Sequence, residues 1–420
     1  VIVIFYFLIR RIFGADTAFW SALFLVFLPP FLYFSNRGFF HNVLFLDLII
    51  LFAAIMVFRP VGSLEKHAGK KKWIYRLGDE IWGGIILGLA FLTRPTEFLW
   101  LAPIIPVAMF FFRDKIAGKK LRVFFAVFAV FIFIFFFINK TLYGSWFGSG
   151  YLSARGADAA AAGVAIQESL FPFGFDLRII FRNIWRYFFG LFPALGAAYV
   201  IGAFYFGLKV YLKDVTRAEK LYFGGWLWAS FVLFIYYGSG VFLDTPDREM
   251  FSPATSYFRY WLPIYVFGLP LALGWVVSAF KIFSKNFAKV VMPAIFLFYA
   301  VNSFVIVFFT PGDGLVDVSR EIFSYREIIA QTGALVPPGS VIIVHKADKV
   351  FFPQWPVALY DDSDNFYDTI AKVREERRVF YFRPGPTPKE QFHIYYKFAE
   401  RNLAMKRVTI MGKNVLYEIK

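Results

Sequence analysis

Long apolar runs separated by short clusters of charge dominate the first three quarters of the chain. Ten runs stand out, at 1–9, 18–35, 39–58, 80–93, 97–112, 122–138, 187–208, 221–239, 259–280 and 290–309. Most approach the ~20 residues that a membrane-crossing helix requires. The fourth and fifth are short and flank Arg94-Pro95, where proline and the restriction it places on its predecessor favour a break. The stretch 80–112 therefore predicts a helical hairpin with its tip at or below the membrane surface, or two tilted spans. Beyond residue 309 the pattern changes, and 310–420 holds no long apolar run. A helix over 319–333, the turn Pro337-Pro338-Gly339 and the strand Val341–Val344 suggest an α/β unit. A helix near 364–378 leads into a strand at Val379–Phe382. Thr387-Pro388-Lys389-Glu390 has capping-box spacing with proline at the first helical position. Two closing strands flank Gly412-Lys413-Asn414. The expected fold is a mainly α-helical polytopic membrane protein with about ten spans over 1–309, followed by a small α/β domain over 310–420.

Composition narrows this further. Hydrophobic residues make up 59% of the 420, charged residues only 18%, and the mean hydropathy is +0.58. A soluble domain carries about 25% charge, so both a soluble enzyme and a disordered chain are excluded. Yet the formal net charge is +16. The charges are sorted by position. Arg10-Arg11 and the connections 59–76, 113–122, 209–220 and 281–289 hold 20 basic residues; the alternate connections, longer in total, hold 9. Excess Lys and Arg marks cytoplasmic loops, which predicts a multi-pass protein of the plasma (inner) membrane with its C-terminal domain extracytoplasmic. The charge is thus a topology signal and gives no reason to invoke nucleic acid. The same count starts Val1 outside, and predicts at least one further helix and external loop ahead of it. With no cysteine and four scattered histidines, His41, His67, His345 and His393, the sequence itself calls for no metal site and no cofactor; a divalent cation would need carboxylates from the external loop expected ahead of Val1. It shows no internal repeat.

Ionisable residues at the membrane are costly and mark candidate chemistry. Three groups gather at the predicted outer ends of the spans. Arg37, His41 and Asn42 lie in a tight turn, with Asp47 one to two turns further in; Asp47 either serves the chemistry or hydrogen-bonds a neighbouring helix. Arg94 and Glu97 lie at the hairpin tip, where Arg94 either clamps a phosphate bidentately or pairs with Glu97 to stabilise the turn. Arg259 and Tyr260 open a span, where Arg259 either binds a ligand or snorkels to headgroups. The long connection 139–186 mixes aromatics and glycines from Tyr143 to Tyr151, suited to a mobile lid, a sugar-contacting surface or a plain interfacial loop. Arg178, Arg182 and Arg186 recur every fourth residue opposite Ile179, Ile180 and Trp185. That predicts an amphipathic helix in the interface which holds lipid phosphates or simply anchors the chain. Asn139-Lys140-Thr141 matches the glycosylation sequon.

Four stretches, "YFSNRGFFHN" at 33–42, "GLAFLTRPTEFLWLAP" at 88–103, "NKTLYGSWFGSGY" at 139–151 and "SYFRYWLPIYVFGLPLALG" at 256–274, resemble in order and spacing a multi-pass glycosyltransferase of the type C (GT-C) fold. The likeness is to the protein-mannosyltransferase-like and aminoarabinose-transferase-like branch. It covers most of 1–309, and the tail is similar to the small extracytoplasmic domain of many such enzymes. The resemblance implies transfer of a sugar, hexosyl or pentosyl and usually with inversion, from a polyprenyl-phosphate-linked donor to a protein, lipid or glycan acceptor on the outer face. It implies a general-base Asp or Glu in the first external loop, which the span count places upstream of Val1. It makes Arg94 and Arg259 contacts for the donor phosphate. His41 and Asn42 stand where relatives often carry an acid, and with Asp47 are accessory candidates. Arg37, Glu97, Tyr143, Tyr151, Arg182 and Tyr260 are candidate substrate or lipid contacts. A transporter or flippase of lipid-linked sugars accounts equally for the spans and arginines, but not for a separate outer domain or polar residues confined to one face. A non-catalytic envelope scaffold that binds through its tail is the third reading.

Overall fold

A computed structural model of the chain describes residues 1–38, 40–58, 72–111, 118–147, 173–190, 192–240, 242, 252–283, 285–345, 347–384, 388–412 and 414–420. It divides into two compact units, Val1–Leu315 and Val316–Lys420.

The first unit is built of helices. α1 (Ile2–Phe13), α2 (Ala15–Val26), α3 (Pro29–Arg37) and α4 (His41–Val57) lead to α5 (Lys72–Thr93), a tight turn at Pro95–Glu97, α6 (Phe98–Phe111) and α7 (Gly118–Tyr143). A short helix, α8 (Leu177–Ile184), continues into a single wide turn, Trp185–Gly190. α9 (Pro193–Tyr211), α10 (Arg217–Gly238), α11 (Ser256–Tyr260), α12 (Leu262–Phe283) and α13 (Lys285–Phe309) complete it. Among the described residues, five helices are long and apolar enough to cross a membrane: Leu121–Tyr143, Pro193–Tyr211, Arg217–Gly238, Leu262–Ile282 and Lys289–Phe309. Two bent pairs bring the number to seven, and α4 is a shorter apolar helix of 17 residues. The hairpin expected over 80–112 is present: the chain bends by 112° between α5 and α6.

Two predicted runs are not single helices. The run 18–35 breaks between Val26 and Pro29 with a bend of 48°, because Pro29 starts a new helix rather than continuing the old one. The run beginning at 259 breaks at Trp261, whose backbone leaves the helical region ahead of Pro263. Arg259 therefore belongs to the separate short helix α11.

α12 is the central pillar and the most enclosed of the spans, whereas α7 is almost entirely outward-facing. Small residues let helices meet closely. A Cβ at Gly202 of α9 would lie 2.7 Å from the Leu271 carbonyl of α12, and one at Gly88 of α5 would lie 2.3 Å from the Phe131 ring of α7. Side chains of neighbouring helices also bond backbone carbonyls in the first turns of α12, ahead of Pro270. Trp226 Nε1 donates to the Ile264 carbonyl at 2.9 Å, and Tyr199 and Tyr222 hydroxyls donate to those of Tyr265 and Phe267 at 2.8 Å each.

The second unit is an α/β domain. α14 (Leu315–Leu335) precedes β1 (Val341–Val344), α15 (Asp348–Phe351), β2 (Val357–Leu359), α16 (Asp364–Glu376), β3 (Val379–Pro384), α17 (Pro388–Ala399), β4 (Met405–Met411) and β5 (Asn414–Ile419). The sheet order is β2-β1-β3-β5-β4, parallel from β2 to β3 and antiparallel beyond. Strand residues alternate between faces. Ile342, Val344, Phe380 and Phe382 pack under Ile328, Phe351 and Trp355, while Val341, Ile343, Val379 and Tyr381 pack under Tyr367, Ile370, Ile394 and Phe398. β1 is thus apolar at every position because both its faces are covered. The sequence reading missed β2 and α15. Thr387, the predicted cap of α17, lies outside the described residues.

Candidate active site

The break between α5 and α6 sets the first wall of the site. Pro95 keeps Arg94 out of the helical region, at φ −150° and ψ 81°, and Glu97 closes the turn at the start of α6. Both side chains are buried, 8% and 2% exposed, with Arg94 Nη2 3.1 Å from Glu97 Oε1. Neither is free in this arrangement. Arg94 also donates to the Tyr237 hydroxyl at 2.9 Å, that hydroxyl donates to Glu97 Oε1 at 3.0 Å, and Trp100 Nε1 donates to Glu97 Oε2 at 2.6 Å. A carboxylate engaged this fully, at the positive end of a helix, holds Arg94 in place.

Tyr237, at the end of α10, joins this wall to the next. Its ring stacks on that of Tyr260 with centroids 4.4 Å apart and planes 6° from parallel. The Tyr260 ring also lies against both arginines, 5.1 Å from Arg94 Cζ and 5.0 Å from Arg259 Cζ. The two guanidinium groups are therefore within about 10 Å of each other. Arg259 bonds the Ser256 hydroxyl, and its Nε is buried with no hydrogen-bond partner among the described residues.

The start of α4 supplies the third wall. Asn42 is buried and donates from Nδ2 to the Arg259 carbonyl at 3.0 Å, leaving its own Oδ1 without a partner among the described residues. His41 is exposed beside it, close enough to Arg94 and Arg259 for both charges to act on it. Three sequence stretches, at 41–42, 94–97 and 259–260, thus meet in one cluster.

The other sequence candidates stand apart. Arg37 lies against the Tyr33 ring at 5.4 Å, and the Tyr33 hydroxyl donates to the Asp313 carbonyl at 2.9 Å. Asp47 is about 9 Å further along α4 than His41, and its Oδ1 is buried without a partner among the described residues. Tyr143 ends α7, 40% exposed, with no hydrogen bond or ring contact to the cluster among the described residues. Arg182 is on the exposed side of α8. Tyr151 and His67 lie outside the described residues. Among those residues no group of three or more His, Asp or Glu side chains is arranged to hold a metal ion.

Sequence reasoning missed Tyr237 and Trp100, because an aromatic residue within an apolar run carries no local signal of its polar role. It also missed Asn183, which donates to the Gly238 carbonyl at 2.8 Å and to the Tyr257 hydroxyl at 2.7 Å, tying α8 to the ends of α10 and α11.

Bundle, sharply bent hairpin and the arginine cluster together define a multi-pass helical membrane protein with a polar site at one end of its helices. The solved structures it resembles give that class a name. Over 99% of this chain and 81% of the other, it matches the crystal structure of ArnT from Cupriavidus metallidurans in the apo state, with a TM-score of 0.53 and 13% identity. The same protein bound to undecaprenyl phosphate matches over the same shares with a TM-score of 0.52 and 12% identity. ArnT, the aminoarabinose transferase, is a type C glycosyltransferase, and the chain has that GT-C fold. No family model matches the sequence, and no curated protein matches it.

Proposed function

We propose that the protein transfers a sugar from a polyprenyl-phosphate-linked donor to an acceptor at the outer face of the membrane. The observation that carries this is the convergence of Asn42, Arg94 and Arg259 around Tyr260, in a fold shared with a transferase that binds undecaprenyl phosphate. The outer-face assignment rests on the distribution of Lys and Arg between alternate connections.

Within this reading Arg259 is the principal ligand of the donor phosphate, since its Nε is buried and unengaged among the described residues. Arg94, fixed by Glu97 and Tyr237, supplies a second positive charge from a set position. Glycosyl transfer passes through an oxocarbenium-like state, and here the leaving phosphate gains negative charge as the bond to the sugar breaks. Cations already placed stabilise that charge without reorganising, more strongly where water is scarce. His41 and Asn42 border the same space and orient the sugar or acceptor. Inversion at the anomeric carbon follows if an activated acceptor hydroxyl attacks opposite the phosphate, its proton passing to a general base. The acceptor is a protein, lipid or glycan hydroxyl.

The test is transfer from a radiolabelled polyprenyl-phosphate sugar by the full-length protein in vesicles. Arg259→Ala is expected to lower turnover at least 100-fold, a size seen on removal of one transition-state donor. Wild-type turnover in both Arg259→Ala and Arg94→Ala would remove the site from the mechanism.

A further inference from the structure

The helix α8 carries three distinct faces, and the transfer reading uses none of them. One is buried: Ile180 and Asn183 are each 4% exposed, and Asn183 makes the two hydrogen bonds to Gly238 and Tyr257. The Asp176 backbone N–H, at the cap of α8, also donates to the Ser239 hydroxyl at 2.8 Å. A second face is an exposed apolar row at every fourth residue, with Leu177 53%, Phe181 67% and Trp185 72% exposed. Between these faces runs a third row, Arg178 and Arg182, both exposed and in no ion pair among the described residues. An apolar row left open beside spanning helices sinks into the acyl boundary, and the polar row beside it then sits at headgroup level. Two arginines one helical turn apart, with Cβ atoms about 6 Å apart, can bring both guanidinium forks to a single phosphate.

We propose that Arg178 and Arg182 form a binding site for the phosphate of an anionic lipid headgroup. A zwitterionic lipid carries its own ammonium beside the phosphate and competes poorly; a net-anionic headgroup leaves that phosphate uncompensated. The site depends on the membrane assignment and not on sugar transfer. Because the buried face of α8 is bonded to the residues that follow Tyr237, a lipid at the arginine row also steadies the end of α10. The chemistry recognised is a phosphate, and the surrounding apolar row makes its source a lipid rather than a free ion.

The chain has no cysteine, so Leu177→Cys gives one attachment point for a bimane label on the full-length protein. The labelled protein is placed in phosphatidylcholine vesicles containing rising fractions of brominated phosphatidylglycerol or brominated phosphatidylcholine. Brominated phosphatidylglycerol is expected to quench at the lower mole fraction, with a preference of roughly 10- to 30-fold from two basic residues at an anionic surface. Adding R178Q and R182Q should bring the two quenching curves together, while R178K with R182K, which keeps the charge and loses the forks, should hold only part of the preference. Arg407→Gln, in the second unit, controls for net charge and should change nothing. Equal quenching by the two lipids in the parent, or a preference that survives the glutamine pair, overturns the proposal. So does loss of the preference on adding millimolar inorganic phosphate, which would make a free anion the ligand.

Discussion

Glu97 offers the sharpest test of how the site is held together. Its carboxylate accepts from Arg94, Tyr237 and Trp100 at 3.1, 3.0 and 2.6 Å, and is 2% exposed. Replacing it with alanine leaves the 8%-exposed Arg94 side chain as a buried charge with no counterion in this network. Breaking a buried ion pair from one side costs about 3–5 kcal/mol. For a unit the size of Val1–Leu315 each 1 kcal/mol lowers the melting temperature by about 1.5 °C, so Glu97→Ala should melt roughly 4–8 °C below the parent. Glu97→Gln keeps the shape and the acceptor oxygen but loses the charge, and should fall between the two. The decisive variant is the double substitution Glu97→Ala with Arg94→Met, which removes both charges. It should be more stable than Glu97→Ala alone, because the penalty lies in the stranded guanidinium and not in the lost bond. Thermal unfolding in one detergent, followed by tryptophan fluorescence, reads these four proteins and Arg94→Met alone, which completes the cycle. If Glu97→Ala melts with the parent, or the two single effects simply add, the coupling described here does not exist.

Three further outcomes follow from other parts of the molecule. Tyr237→Phe removes the hydroxyl that bridges Arg94 and Glu97 and should cost about 1.5–3 kcal/mol, the value of a bond to a charged group, measured by the same melting assay. Gly202→Val should lower the yield of folded protein and its melting temperature by about 1–3 kcal/mol equivalents or more, since its Cβ would press on the Leu271 backbone at 2.7 Å. In the second unit, burial acts to raise the Asp362 carboxyl, but hydrogen bonds from His393, Tyr360 and Tyr367 and the His393 charge outweigh it and hold the group below its ordinary value. Asp364 is held low by hydrogen bonds and charge from Lys397 and Arg401. A depressed carboxyl stabilises the folded state above its ordinary range, near 4, and that support is lost as the pH falls below it. Protection factors for hydrogen exchange across α16 and α17 should therefore fall below about pH 4, and Asp362→Asn should be less protected than the parent at pH 7 yet converge with it in acid.

Much of the architecture was legible because it depends on rules of local reach. Pro95 broke the apolar run at Arg94, and four apolar residues at Val341–Val344 after a Pro-Pro-Gly turn marked a strand. The wall residues of the site were legible because a charge beside hydrocarbon stands out. What held them together was not. Tyr237 lies 143 residues from the arginine it bonds, and no pattern within an apolar helix distinguishes a tyrosine that bridges two charges from one that packs. The bend at Pro29 was hidden because hydrophobicity continues across it. Ile180 and Trp185 were placed together on one apolar face of α8, but Ile180 is buried while Trp185, which begins the wide turn Trp185–Gly190, is exposed in line with Leu177 and Phe181. β2 was missed because three residues are too few to show an alternation.

The order of strands in the second unit has a bearing on its synthesis. β5 is translated after every other strand of the sheet, yet it lies between β3 and β4 and is the only described strand that joins them. Until Asn414–Ile419 emerges, one edge of β3 stays unpaired and Met405–Met411 has no neighbour. Open edges of that kind template pairing between chains. A chain whose residues 414–419 have yet to leave the ribosome thus presents a half-closed sheet to its surroundings.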